Sequence, residues 1–222
     1  MPYTYRYAHP AVTTDVVIFT IRQDELQILL IQRTLPPHKN QWALPGGFIQ
    51  LEESLEEGAR RELEEETGVK DVFLEQLYTF GKPERDSRER VITVAFYALV
   101  PTEELTIEAG SDAERATWFG MKEIPDLAFD HKEILKMAHE RLRAKLDYST
   151  IAFQFMPKEF TLSELQHVYD IIQKKPIDKR NFRKRILSLN LIKETGKDKR
   201  EGPHRPARLY RAKSPRRIDI IK

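Results

Sequence analysis

The chain has 222 residues, 40% of them hydrophobic and 32% charged, which is enough for one ordinary domain and a smaller companion. It contains no cysteine, which excludes disulfides and thiolate metal sites, and no apolar run approaches the roughly 18 residues of a membrane span. The net charge of +2 conceals a split: residues 151–222 hold 19 Lys and Arg against 8 Asp and Glu, a net of +11, which leaves 18 against 27, a net of −9, for residues 1–150.

At the start, Tyr3, Tyr5 and Tyr7 alternate with Thr4 and Arg6 as an edge strand does, with packing as the expected role, and Met1 to Pro10 lacks the apolar core of a signal peptide. A cytoplasmic setting is expected. Val12 to Thr20 and Gln27 to Gln32 are aliphatic runs around the polar turn Arg22 to Glu25, which predicts a hairpin. Trp42-Ala43-Leu44-Pro45-Gly46-Gly47 then brings an aromatic, a stiff proline and two glycines that let backbone pass close to a bound ion or phosphate.

Ser54 followed by Glu57 is a capping-box start, and Gly68 after Thr67 is a helix stop, so residues 55–67 are expected to be helical. Glu62, Glu65 and Glu66 stand three and four residues apart and share one face of that helix. Like charges at this spacing repel unless something positive compensates, and carboxylate oxygens suit a hard ion such as Mg2+ or Mn2+. Glu56, Glu57 and Glu64 are expected to be solvated. Arg61 carries a permanent planar fork and is expected to orient Glu53.

Val72 to Phe80 and Val91 to Val100 are the next strands, Arg115 to Phe119 a short one, and Lys82 to Arg90 a charged loop. Helical spacing returns over Lys132 to Leu146. The six histidines show no zinc spacing and are expected to serve at the surface or in packing. Strands mixed with helices in this order predict an α/β (α+β) fold.

The basic part reads differently. Ile151 to Phe155 is expected to be a strand, and Thr161 with Glu164 is a second capping box before Leu165, Val168, Tyr169 and Ile172. After the turn Lys174 to Ile177, Asp178 caps a second helix with Phe182, Ile186 and Leu189 inward. Lys179, Arg180, Arg183 and Lys184 then face outward. Leu191 to Glu194 and Ala207 to Ala212 are short strands around a basic loop from Gly196 to Pro206. Together these predict a winged helix-turn-helix binding double-stranded DNA, with Lys179, Arg180, Asn181 and Arg183 toward base edges and Lys197, Lys199, Arg200, Arg205, Arg208 and Arg211 toward phosphates. The second helix lacks the aromatics that stack on RNA bases.

Gly47, Glu53, Arg61, Glu62, Glu65, Glu66 and Gly68, with Leu63 and Val69, satisfy the spacing G-x5-E-x7-R-E-U-x-E-E-x-G-U, where U is a bulky aliphatic. The segment resembles the Nudix box of metal-dependent diphosphate hydrolases. His9 to Thr13, Trp42 to Phe48, Leu77 to Gly81 with Arg85-Asp86, and Asp178 to Arg185 extend the resemblance to Nudix-related transcription factors of the NrtR type. The resemblance implies an α/β/α Nudix sandwich over residues 1–148 and a winged helix over 149–222. It implies a divalent cation on Glu62, Glu65, Glu66 and the Gly46 carbonyl, and attack of an activated water on a phosphorus, with the base left unassigned. It also implies ADP-ribose or a related nucleotide as ligand, with Gly46, Gly47, Glu84, Arg85, Asp86 and Arg88 beside its diphosphate or ribose. A homodimer on a near-palindromic operator completes the expectation. Two alternatives share these features: a plain ADP-ribose diphosphatase with an accessory basic domain, and a sugar-responsive regulator of the arabinose type.

Overall fold

The computed structural model describes residues 6–101, 113–200, 206–215 and 217–221; Tyr3, Tyr5 and Arg205 lie outside them. The chain divides into two compact units, the first built on a large sheet and running to Ala138, the second running from His139 and including the hairpin tip Thr20–Leu26.

The sheet of the first unit has seven strands, β1 (Ala11–Arg22), β2 (Glu25–Arg33), β3 (Trp42–Ala43), β4 (Gly46–Phe48), β5 (Phe73–Phe80), β6 (Val91–Leu99) and β7 (Ala113–Gly120). Its main path runs β3-β2-β1-β6-β5, with β4 paired to β1 and β7 to β2. The expected hairpin forms with longer strands, and Gln23 and Asp24 at its tip both have positive φ (50° and 59°), as the two-residue turn that suits strand twist requires. Residues 13–20 of β1 are buried without alternation, and β6 is nearly so. Strands buried on both faces need a layer on each side, which accounts for the hydrophobic runs that carry no period of two.

Helix α1 (Leu55–Thr67) has the predicted bounds. Ser54 and Glu57 complete the capping box, and Gly68 ends the helix in the left-handed region with its N–H donating to the Glu64 carbonyl. Ala59, Leu63, Glu66 and Thr67 form the buried side, so the carboxylate face of the box is turned partly inward. Helix α2 (His131–Tyr148) covers the predicted 132–146.

The second unit holds α3 (Leu162–Gln173), α4 (Lys179–Ser188) and the ribbon β8 (Ile192–Lys199) and β9 (Ala207–Ala212). Thr161 with Glu164 caps α3 as predicted, and the Asp178 carboxylate accepts the Asn181 N–H at the start of α4. Leu165, Val168, Tyr169, Ile172, Phe182 and Ile186 are buried, with the Tyr169 and Phe182 rings edge to face at 5.2 Å. Phe160 bridges to Tyr210 and ties the segment before α3 to the wing.

Two expectations fail here. Ile151–Phe155 is a 3-10 turn, closed by Phe153 N–H to Thr150 and Met156 N–H to Phe153. Four of its five side chains are buried with no alternation, and a short apolar run of that kind does not distinguish a strand from a buried helical turn. The first wing strand also runs on to Lys199, so Lys197 and Lys199 stand on β8; the register shifts between Glu194 and Asp198, where Gly196 takes φ 77°.

Candidate functional site

A cleft of ≈ 410 Å³ opens in the first unit, lined by β1, the end of β2, the glycine turn, α1, the loop before β6 and the start of α2. The pairs Thr13 with Phe48, Thr14 with Gly47 and Asp15 with Gly46 fasten the glycine turn to β1. A Cβ on Gly46 would lie 2.1 Å from the Thr14 carbonyl oxygen, and one on Gly47 would lie 2.3 Å from a Glu62 oxygen. Only glycines allow strand and helix to approach so closely. The Gly46 N–H donates to Glu66 Oε2 at 2.8 Å, which fixes the turn against α1.

Three of the box carboxylates gather around one cation. Arg61 donates to both oxygens of Glu53 (2.9 and 2.7 Å), to Glu62 (2.7 Å), to Glu65 (3.1 Å) and to the Phe48 carbonyl (3.1 Å). This fork holds the Glu53 carboxyl down at about 2, while burial pushes the Glu62 carboxyl up against the opposing pull of Arg61. Compensation for the acidic face therefore begins with a guanidinium, a role that the spacing alone assigned to a divalent ion. Among the described residues no three His, Cys, Asp or Glu side chains already converge as a metal cage. The donor set nonetheless fits a hard cation: three carboxylates, Glu53, Glu62 and Glu65, meet one arginine, Glu66 accepts the Gly46 N–H, and Glu62 and Glu66 line the cleft.

Beneath the cleft lies a buried network that no local pattern announces. Arg85 donates to both oxygens of Asp130 (3.0 and 2.8 Å) and to Asp15 (3.3 Å), and all three side chains are at most 10% exposed. Beside them His131 Nδ1 accepts the Leu44 N–H at 2.9 Å, and its Nε2 lies 3.4 Å from Asp15. Accepting at Nδ1 fixes the neutral form with the proton on Nε2, and burial lowers the His131 pKa in the same sense. Arg85 thus braces three segments, a packed role that differs from an exposed charged loop. Asp86 is buried too and holds Arg88 through its carboxylate (3.1 and 2.7 Å), while Glu84 is exposed. Asp15, Asp130, His131, Arg33 and Phe129 join the site from positions that carry no motif.

In the second unit the predicted DNA residues fall into two groups. Lys179, Arg180, Asn181 and Lys184 on α4 and Arg200 after β8 are exposed, and the four cations have no acidic partner among the described residues. Lys197 pairs with Glu159 (3.0 Å), Lys199 with Glu164 (2.7 Å) and Arg208 with Glu194 (2.8 Å), and Arg183 donates to Ser163 (3.2 Å). Lys179, Arg183, Lys199 and Arg208 line one side of a hollow of ≈ 1040 Å³ beside α3.

Comparison with known proteins places these geometries among relatives. Residues 12–138 match the NUDIX domain, and residues 152–212 match the NrtR DNA-binding winged helix domain. The chain is 40% identical over 209 residues to the ADPR responsive transcriptional repressor NtrR of Acinetobacter baylyi, covering 92% of this chain and 83% of that protein. It is 42% identical over 130 residues to the ADP-ribose pyrophosphatase of Methanocaldococcus jannaschii, covering 59% of this chain and 73% of that one. The crystal structure of Shewanella oneidensis NrtR complexed with a 27mer DNA superimposes with a TM-score of 0.81 at 37% identity, covering 92% of this chain and 94% of that one.

Proposed function

Because the chain belongs to the NrtR family of Nudix-domain regulators, we propose that it is a transcriptional repressor that binds double-stranded DNA through its winged helix and senses ADP-ribose in its Nudix cleft. The observation that carries this reading is the pairing, within one chain, of a cleft built from box carboxylates and guanidinium groups with a helix, α4, whose outward Lys179, Arg180 and Lys184 have no acidic partner among the described residues. Lys179, Arg180, Asn181 and Arg183 at the start of α4 meet the major groove, and Lys184, Lys197, Lys199, Arg200, Arg205 and Arg208 contact the backbone. A homodimer on a near-palindromic operator, acting in the cytoplasm, completes the proposal. Fluorescence anisotropy with a duplex from the protein's own upstream region tests it: tight, salt-sensitive binding whose affinity changes on addition of ADP-ribose is expected. Binding no tighter than to scrambled DNA at every salt concentration refutes it.

A second activity is favoured by the box itself and by the likeness to an ADP-ribose pyrophosphatase. Glu62, Glu65 and Glu66, with the Gly46 carbonyl, would hold Mg2+ or Mn2+, which supplies Lewis-acid polarisation of the diphosphate. Arg61 holds Glu62 and Glu65 in place and sets Glu53 as an ionised acid at any physiological pH. The Gly46 N–H orients Glu66, and the Asp15–Arg85–Asp130 brace keeps the glycine turn's side of the cleft rigid. Mg2+-dependent release of AMP from ADP-ribose, lost in Glu65→Gln, is the expected result; turnover equal in wild type and Glu65→Gln excludes hydrolysis at this box.

A further inference from the structure

We propose that Leu187 reads a thymine methyl group in the major groove, an assignment that rests on the DNA-binding role given to α4 and carries it one turn further along the helix. Arg180, Arg183, Lys184 and Leu187 stand at i, i+3, i+4 and i+7, so they form one stripe along α4. The opposite side is the buried one, with Phe182 and Ile186 at 4% and 3% exposed. Two bonds anchor the flanks of the helix: Arg183 donates to Ser163 Oγ at the start of α3 (3.2 Å), and Arg185 donates to the Asp147 carbonyl near the end of α2 (2.8 Å). The arc between those anchors, away from the core, carries Arg180, Asn181, Lys184, Leu187 and Ser188, all exposed. Leu187 is its single apolar member, at 49% exposure.

Helix formation does not call for leucine here, since arginine, lysine and glutamine serve a helix about as well. An aliphatic group gains from such a place when a partner takes it out of water. The neighbouring cations say which partner. Against an apolar protein surface Arg180, Arg183 and Lys184 would lose their water without compensation, whereas the phosphates along a duplex accept them. Between those phosphates, the base edges of the major groove present hydrogen-bond donors and acceptors and one apolar group, the C5 methyl of thymine. Leu187 lies four residues beyond Arg183, about 6 Å along the helix axis, and so reaches past the bases met by the start of α4. A polar base edge opposite it would be desolvated with no hydrogen bond in return, which selects against the other bases as well as for thymine.

Anisotropy titrations of the full chain test this with a duplex from the protein's own upstream region in which thymines are replaced one at a time by uracil, which deletes the C5 methyl and nothing else. One position in each half-site is expected to weaken wild type about fourfold, the value of one buried methyl group. Leu187→Ala is expected to weaken the thymine duplex by a similar factor and to bind thymine and uracil alike at that position. It keeps the salt dependence of wild type, because no phosphate contact is lost. Leu187→Met retains the preference for the methyl. Wild type that binds the site specifically yet ignores uracil at every position overturns the proposal and leaves the repressor reading standing, and so does a Leu187→Ala protein that keeps the full preference. Loss of self-association in Leu187→Ala by sedimentation velocity, with the preference intact, also overturns it and gives Leu187 to a contact between copies. Binding no tighter than to scrambled DNA removes both readings. Should Leu187→Ala fail to fold by circular dichroism, Leu187→Gln, a similar helix former, carries the same expectation, and an undiminished thymine preference there overturns the assignment.

Discussion

Charges beneath the cleft and charges on α4 are held in opposite ways. Arg85 draws its partners from 70 and 45 residues away in the chain, and the three side chains are each at most 10% exposed. Lys179, Arg180 and Lys184 follow one another on a single helix, face water and have no acidic partner among the described residues. A buried charge has to be paired in the native state, so its removal strands the partners. An exposed cation costs the fold almost nothing and stays available to a phosphate. The contrast is between a network fixed by the fold and a surface kept ready for a partner.

The strongest way to break this comparison is to remove one member of each set. Arg85→Ala leaves Asp15 and Asp130 as buried unpaired carboxylates and is expected to cost about 3–5 kcal/mol of unfolding free energy. Lys184→Gln is expected to stay within about 0.5 kcal/mol. Urea denaturation of both variants reads the difference directly, and equal losses would show that the brace is not sealed as its exposure indicates.

His131 sharpens the same contrast through pH. Its pKa is depressed by burial, and the neutral ring accepts the Leu44 N–H. The unfolded chain, with an ordinary histidine near 6.5, takes up a proton that the folded chain refuses. Stability from this group is therefore complete above pH ~6.5 and falls as pH drops below it, by at most about 1.4 kcal/mol per pH unit for one proton. Glu53, held at about 2 by Arg61, acts in the same direction but in a lower window, between the ordinary glutamate pKa near 4.3 and about 2. Denaturation at a series of pH values between 7 and 5 reads His131 together with His139, whose pKa burial also lowers, and the His131 variant separates them. The slope is expected to flatten in His131→Gln, and an unchanged slope would mean that another group carries it.

What could be read from sequence follows the same division. Helix α1, both capping boxes, the Asp178 cap and the outward cations of α4 are local patterns, set by spacings of three and four residues, and each stands where the pattern put it. Asp15, Asp130, His131 and Phe129 had no such signal, because their partners come from distant strands and loops that only the sheet topology brings together. The resemblance places Arg85 and Asp86 in the ligand loop, but a run of charged neighbours carries no sign of their burial. The 3-10 turn at Ile151–Phe155 escaped for the reverse reason. Four of its five residues are apolar with only Gln154 between them, and a pattern with no period carries no information about backbone geometry.

The wing stands between these two extremes, and Glu164 shows how. One of its carboxylate oxygens accepts the Thr161 N–H at 2.6 Å, closing the capping box of α3, while the other accepts from Lys199 on β8 at 2.7 Å. A cation proposed for phosphate is thus engaged beforehand by an acid of its own domain, in a pair that is surface-exposed and weak. Glu164→Gln separates the two roles, since glutamine at the third helical position keeps the capping box but removes the competing charge. Folding stability is expected to change by less than about 0.5 kcal/mol. Affinity for nonspecific DNA is expected to rise severalfold, and the dependence of log affinity on log salt to steepen by up to about 0.9, the increment for one phosphate contact. Anisotropy titrations at three salt concentrations measure both. A steeper slope assigns Lys199 to the exposed, phosphate-ready class with α4, and an unchanged slope places it with the internally paired charges, whose role is to hold the wing to α3.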